Sequence, residues 1–488
     1  MAERKSAGMK NVFSLFFTSI LISFISCRQI PDYNNLLNTI KGEISSGNIS
    51  YAICHADSLK KITAKNVVLF MKADSLLQIA ERIGLDFSVT EEQIKGQIEK
   101  MSGSFSHEDK TIWEEKGWLE FRIINGRKMY FKRAASNLFL IKKFYEKKEE
   151  RFQDLVSDPE MAYRLKHTEE VFKTYDKKNN PVVPVTMKIM YTITVHPDVT
   201  PAGETIRCWL PWPKETHQRQ QNVKLLNTSD PEFKIAPDSA IHSTVYMEKK
   251  SERGIPTVFR ITFSYQSFAQ YFNIAELPVS PYNKSSELYK KYTSEQLPHI
   301  RFSNKIMKLA DSITASDDNP EDIVNKFYYW FKGNIPWTGA LEYSIMPDIP
   351  GYVYRNRRGD CGMQTFLFIS MLRYKGIPVR WQSGWKVPPG AENLHDWCEV
   401  YYEGTGWVPV DVSYDLQNSE NKAIRDFYLS GIDSYRLIVN DGVAGPLHPR
   451  KDYLRSEPYD FQRGEVEWKG GNLYFDKWDY DMKIEYLE

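Results

Sequence analysis

At Asn179-Asn180-Pro181 the hydrophobic pattern of the chain changes period, and the two sides of that change cannot belong to the same kind of layer. Upstream, from about residue 28 to 170, apolar residues recur at helical spacing, most clearly in Val67 to Ile83 and Leu138 to Phe152. Downstream, Val185, Met187, Ile189, Tyr191, Ile193 and Val195 alternate strictly and fall on one face of a half-buried strand. Further strands are expected at Thr205 to Leu210, at Thr244 to Glu248 and at Val258 to Tyr265, where Phe259, Ile261 and Phe263 alternate. Short strands separated by Pro, Gly and Asp clusters, with no helix between them, predict a β-sandwich over residues 181–280, in a supporting role. The helical region 28–170 contains one hairpin: Leu119, Phe121 and Ile123 alternate up to Asn125-Gly126, and Met129 to Lys132 returns. The Lys/Glu run from Lys142 to Arg151 carries both signs and reads as a solvated helix face.

Past about residue 285 the helical pattern resumes. Asn319 is a capping residue, Pro320 and Glu321 suit a first turn, and the apolar row Ile323, Val324, Phe327 and Phe331 follows until Gly333. From Asn472 to Leu487 the alternation of Tyr474, Trp478, Ile484 and Tyr486 predicts a strand at the end of the chain. A chain of 488 residues exceeds what one core usually organises. The predicted class is α+β, with a mostly helical domain at 28–170, the sandwich at 181–280 and a third domain at 285–488 ending in strands.

Charge narrows the partners. With 64 Lys+Arg against 63 Asp+Glu the net charge is +1, so no global field selects for nucleic acid or an anionic membrane. Residues 1–27 read as an export signal: Lys10 precedes the apolar run Val12 to Ile25, which is short for a bilayer span, and Met9 is a second possible start. Ser26-Cys27 is similar to the processing site of bacterial lipoproteins, which makes Cys27 the candidate lipidation site; simple cleavage and an uncleaved anchor are the alternatives. A protein exported to the cell envelope, touching the membrane only through such an anchor, is the expected localisation. The remaining cysteines, Cys54, Cys208, Cys361 and Cys398, are too sparse for a disulfide scaffold. No Cys-x-x-Cys pair, no His-x-x-x-His pair and no calcium-loop pattern occurs, so neither a metal nor another cofactor is expected.

The chemistry concentrates in RRGDCGMQTFLFISMLRYKGIPVR. Asp360 is placed to cap a helix that includes Phe366, Ile369, Met371 and Leu372, which leaves Cys361 at the helix N-terminus, where unpaired N–H groups favour a thiolate. An Asp360 side chain aimed at the sulfur would work against that effect. Gly376 and Pro378 end the helix. His395 opens an alternating stretch, HDWCEVYY, Glu403 to Gly406 makes a turn, and GWVPVD returns to Asp411. Such a hairpin lets the carboxylate accept the second imidazole N–H and fix its tautomer, so Cys361, His395 and Asp411 are the predicted catalytic triad. Cys398, three residues from His395, reads as a buried structural thiol. Trp381 and Trp385, four apart on a strand, share a face that either lines a substrate groove or packs the core.

The blocks Gly359-Asp360-Cys361, Leu372-Arg373, Gly376-Ile377-Pro378-Val379-Arg380, His395 with Trp397 and Glu399, and Gly406-Trp407-Val408-Pro409-Val410-Asp411 resemble the transglutaminase-like superfamily, in its order, with 34 residues from Cys361 to His395 and 16 from His395 to Asp411. The resemblance covers about residues 320–415. More weakly, Cys208-Trp209-Leu210-Pro211-Trp212-Pro213 is similar to the β-domain that precedes this core in many bacterial members of exported, multidomain type.

The resemblance implies a papain-like core in 285–488. It implies that His395 takes the proton of Cys361 and that the thiolate attacks the carbonyl of a peptide, protein or wall-derived amide. An amine or water then resolves the thioester. The Cys361 backbone N–H is a candidate oxyanion donor, and Trp337 a second, because some members use an upstream aromatic. Crosslinking, deamidation and peptide cleavage all fit one triad. The alternative class is a non-catalytic protein-binding or glycan-binding module, and a metal-dependent hydrolase lacks a ligand cluster.

Overall fold

The computed structural model describes residues 32–146, 159–276, 278–315 and 319–487. The lipidation candidate Cys27 and the end of the Lys142–Arg151 run lie outside the described residues. The chain divides into two compact units after Ala80.

In the first unit, α1 (Tyr33–Ser46) begins at Asp32, whose carboxylate accepts from the N–H groups of Asn34 and Asn35, and ends at Gly47 in the left-handed region. α2 (Ile49–Ile62) packs beside it, and α3 (Val67–Asp86) starts in this unit. Lys60 pairs with the buried Asp74 at 2.6 Å.

The second unit opens with α4 (Glu91–Ser102), capped by the reciprocal Thr90–Gln93 box, and α5 (His107–Glu115). The expected hairpin is present as β1 (Phe121–Ile124) and β2 (Arg127–Tyr130). Its turn residues Asn125 and Gly126 have φ of 49° and 77°, the left-handed pair that a two-residue hairpin turn requires. Two helices follow, α6 (Ala134–Glu146) and α7 (Pro159–Thr174).

Beyond residue 181 the chain builds β3 (Val182–Val195), β4 (Thr205–Pro211), β5 (Gln220–Thr228), β6 (Phe233–Ile235), β7 (Thr244–Lys250) and β8 (Thr257–Tyr271). α8 (Glu287–Thr293), α9 (Asn304–Thr314), α10 (Pro320–Asn334), α11 (Ile349–Asn356) and α12 (Cys361–Tyr374) come next, then β9 (Val379–Lys386), β10 (Asn393–Tyr402), β11 (Gly406–Val410), β12 (Gly431–Ile432) and β13 (Arg436–Asn440). The chain closes with β14 (Glu465–Trp468), β15 (Gly471–Leu473) and β16 (Trp478–Leu487).

Two five-stranded sheets share one apolar core. One runs β12-β8-β3-β16 with β5 also on β8, and the other β15-β14-β4-β7-β6. The inward rows Met187, Ile189, Tyr191 and Ile193 of β3 and Phe259, Ile261, Phe263 and Tyr265 of β8 meet Cys208, Val245, Met247 and Val466 between the sheets. This places the boundaries differently from the sequence reading. The terminal strand expected within 285–488 is real, but β14, β15 and β16 complete the sandwich: β16 pairs with β3 from Trp478 opposite Val195 to Leu487 opposite Thr186.

A separate four-stranded sheet, β11-β10-β9-β13, carries α12 on one face, with Phe366 stacked on Trp381 at 4.3 Å between ring centres. The core is thus α+β, a helix packed on an antiparallel sheet.

Trp478 anchors β16, buried in the sandwich core with its indole N–H on the Leu473 carbonyl at 2.9 Å. Trp478→Ala is expected to cost about 3–5 kcal/mol in urea denaturation. A loss under ~1 kcal/mol would show that the terminal strand does not belong to the core.

Candidate active site

Asp360 caps α12 as the sequence requires, its Oδ1 accepting from the Met363 N–H at 2.9 Å and from the Tyr343 hydroxyl at 2.6 Å. Cys361 therefore occupies the first helical position, at the wall of a cleft of about 180 Å³. Gly362 permits the approach of Tyr343 and Asp396, since a Cβ there would lie 2.7 Å from Asp396 Oδ2 and closer still to the Tyr343 hydroxyl.

His395 and Asp411 meet across the β10–β11 hairpin, Nε2 to Oδ2 at 2.6 Å. Asp411 is fully buried, and burial alone would raise its pKa. His395, Arg436 at 3.1 Å and the Ser413 hydroxyl at 2.9 Å outweigh that and hold the carboxyl well below its usual range. Burial lowers the pKa of His395 despite Asp411, so the neutral ring is favoured, lying over Tyr414 at 4.7 Å. The Asp411 contact leaves Nδ1 of His395 without a hydrogen bond among the described residues.

The thiol is placed one residue along. Cys361 Sγ donates to Asp396 Oδ2 at 3.3 Å, and the Asp396 backbone N–H also points at the sulfur. No hydrogen bond joins the thiol to the His395 ring among the described residues. Residues 395 and 396 are neighbours in an unbroken strand register, so their side chains leave opposite faces of β10. The structure joins His395 to Asp411, and it joins Cys361 to Asp396. Burial, then Asp396 and Asp360, push the Cys361 thiol up.

Asp396 belongs to a group of carboxyls along the cleft that sequence reasoning did not single out. Burial raises all of them: Asp360 to about 6, Glu457 to about 8, Asp460 to about 6, and Asp396 well above the usual carboxylate range, with Asp460 and Asp360 adding repulsion. Gln462 ties this loop to the sheet, its amide donating at 3.0 Å each to Asp396 Oδ1, the His395 carbonyl and the Gly384 carbonyl. Asp396 was legible inside the motif. Glu457, Asp460 and Gln462 lie about a hundred residues downstream of the Cys helix with no local pattern to mark them.

Trp337 lines the cleft at 43% exposure, held beside the Cys361 helix by its pairing with Gly359. Trp381 and Trp385 do share a face, but they are 1% and 3% exposed. Trp381 packs on Phe366, while Trp385 donates to the Gln462 carbonyl at 3.0 Å and meets Tyr191 and Tyr480. Neither lines the cleft, so the groove reading gives way to core packing. Cys398 is buried, its thiol directed to the Val410 carbonyl.

Residues 307–412 match the Transglutaminase-like superfamily, from within α9 to just past Asp411. This segment is a transglutaminase-like domain. A Bacillus subtilis protein of uncharacterised function, YebA, is 26% identical over 184 residues, a match spanning 32% of this chain and 25% of YebA. Among solved structures, one described as a candidate cysteine protease from Cytophaga hutchinsonii is 14% identical, with a TM-score of 0.43 over 63% of this chain and 92% of that one. The periplasmic domain of TgpA from Pseudomonas aeruginosa is also 14% identical, with a TM-score of 0.25 over 54% of this chain and 93% of its own. Among the described residues no helix is long and apolar enough to cross a membrane.

The raised carboxyls along the cleft carry a stability consequence. A folded-state acid pKa above the unfolded value means that the folded form holds the extra proton, so stability falls as pH rises from the unfolded pKa to the folded one. For Asp460 that window runs from 3.8 to about 6. Asp460→Asn removes the ionisation, and the melting temperature of the variant relative to wild type is expected to climb across this window and level above it. A difference that stays flat from pH 4 to 7 would contradict the assignment.

Proposed function

We propose that the protein is a thiol-dependent enzyme acting on a peptide-type amide, by acyl transfer or hydrolysis, with Cys361 as nucleophile and the His395–Asp411 pair as its proton carrier. The observation that carries this reading is the buried His395–Asp411 contact in a transglutaminase-like domain, with His395 next in the chain to Asp396, the residue that holds the thiol of Cys361 at a helix N-terminus. With Nε2–H committed to Asp411, Nδ1 is the acceptor. Because His395 leaves the face of β10 opposite Asp396, this reading requires the thiol to leave Asp396 and the helix N-terminus or the start of β10 to shift before His395 takes its proton. Sulfur then attacks the carbonyl carbon, the C–N bond breaks, the departing amine takes the proton from His395, and water or a second amine releases the acyl group from sulfur. The Cys361 N–H and the indole N–H of Trp337 are the oxyanion donors in this scheme. The export signal read in residues 1–27, with Cys27 as its lipidation candidate, directs the enzyme to the cell envelope, where peptide and wall-derived amides are the substrates.

A second reading, a binding module with an idle thiol, is favoured by one contact: Cys361 rests on a carboxyl and not on an imidazole. Labelling separates the two. The enzyme reading expects Cys361 to alkylate faster than Cys398 near neutral pH, with His395→Ala slowing it at least tenfold. It also expects an acyl adduct on Cys361 after incubation with envelope extract, absent from Cys361→Ala. A Cys361 no faster than Cys398, or the same adduct mass on the Cys361→Ala chain, would leave the binding module.

A further inference from the structure

Lys132 and Arg133, between β2 and α6, line the same cleft as the acidic loop. Lys132 is paired with Asp86 at 2.8 Å, and Arg463, across the cleft, is paired with Glu342 and Glu457 at 3.5 and 3.4 Å. Arg133 is different: it is exposed, lines the same cleft as Cys361, and has no ion pair or side-chain hydrogen bond among the described residues.

Its stem is nonetheless held. Asn137, one turn along α6, exchanges two hydrogen bonds with Gly339, amide to carbonyl and backbone N–H to side-chain oxygen, each 2.8 Å. This clamps the start of α6 to the segment carrying Trp337. Arg133 lies against Gly339, where a Cβ would fall 2.6 Å from Arg133 Cδ and 3.0 Å from Nη1. The guanidinium is thus positioned by packing and left with its donors free. The acids of the cleft are hydrogen-bonded elsewhere, Asp360 to Tyr343 and Met363, Asp396 to Cys361 and Gln462, and Glu457 to the Gln462 and Arg463 N–H groups, and Arg133 acts on Asp360 through charge alone, with no ion pair or hydrogen bond between them. Burial also keeps these carboxyls protonated to higher pH than usual.

We propose that Arg133 is a carboxylate receptor, binding a free carboxylate of the substrate beside the amide that Cys361 attacks. This rests on the reading of Cys361 as nucleophile. It assigns the substrate class as a peptide-type amide bearing a carboxylate close to the scissile bond, matched to a planar guanidinium that offers two parallel donors. The cleft of about 180 Å³ admits such a group together with a few carbons.

Two reagents of nearly equal size test it without turnover. Iodoacetate and iodoacetamide both alkylate sulfur with loss of iodide and differ in charge. The ratio of their rate constants at Cys361, read by mass spectrometry of the full chain, is expected to fall about fivefold in Arg133→Gln and in Gly339→Ala, to be largely kept in Arg133→Lys, and to shrink with salt in wild type. An unchanged ratio in Arg133→Gln overturns the proposal. So does a Cys361 that accepts neither reagent, because a cleft closed to a two-carbon acid cannot receive a substrate carboxylate. If the ratio falls as expected while no acyl adduct ever forms on Cys361, the anion site stands and the amidase reading fails.

Discussion

A carboxylate sealed from water survives only where fixed charges replace its hydration, and Asp411 is such a group. Arg436, His395 and Ser413 surround it, and Arg436 is itself completed by Asp433 at 2.9 Å. Three strands meet there: β10 brings the imidazole, β11 the carboxylate and β13 the guanidinium. The orientation of the His395 ring is therefore a consequence of how the sheet is assembled. A register slip in either strand pair would leave an ion buried without its counterpart, so the electrostatics and the sheet topology enforce each other.

One step along β10 the same side-chain type is held in the opposite state. Asp396 faces the Cys361 helix among other carboxyls, with a thiol and an amide as its hydrogen-bond partners, and burial holds its proton to higher pH than usual. Asp411 faces cations and loses its proton. Glu399, on the His395 side of the strand, follows the second pattern, since Arg380 at 2.6 Å, His217 and Arg219 overcome the burial that would raise it. Strand alternation thus separates a neutral acidic face at the cleft from a charged, fully paired face against the sandwich. The cleft face holds carboxyls that burial keeps protonated to higher pH than usual, and the other face holds buried ion pairs.

How much of this was legible in the sequence follows from the range of the forces involved. Asp360 as a cap, Asn125-Gly126 as a turn, and the strands bearing His395 and Asp411 depend on a few adjacent residues, and each is present in the structure. β5 escaped notice because Gln220–Thr228 is largely exposed and its only alternating apolar pair, Val223 and Leu225, is too short a pattern to stand out. Trp381 and Trp385 show where local patterning stops. A spacing of four fixes a shared face, but what covers that face is decided by Phe366, Tyr191 and Tyr480, from elements remote in sequence. The strand at the chain end was readable, yet its partner β3 lies almost three hundred residues upstream, and no periodicity encodes that pairing. The Asp396–Cys361 contact depends on which side of β10 the helix N-terminus settles, which is a property of packing.

The helical region ahead of the sandwich is the element whose purpose the sequence left open, and its contacts from residue 81 onward argue that it forms part of the cleft. The buried Asp86 accepts from the Glu342 backbone at 2.8 Å while pairing with Lys132. Arg358, two residues before the helix cap, pairs with Glu120 at 3.0 Å and donates to the Gly117 carbonyl. Together with the Asn137–Gly339 exchange, these bonds grip the segment 337–360 that leads into Cys361. A bare helix-on-sheet core would leave that segment as a long connection with fewer anchors. Gripping it from the helical side fixes the segment that leads into Cys361, and Lys132 and Arg133 from that side line the cleft from outside residues 307–412. The lining of the cleft is therefore completed by elements that the transglutaminase-like segment alone does not contain.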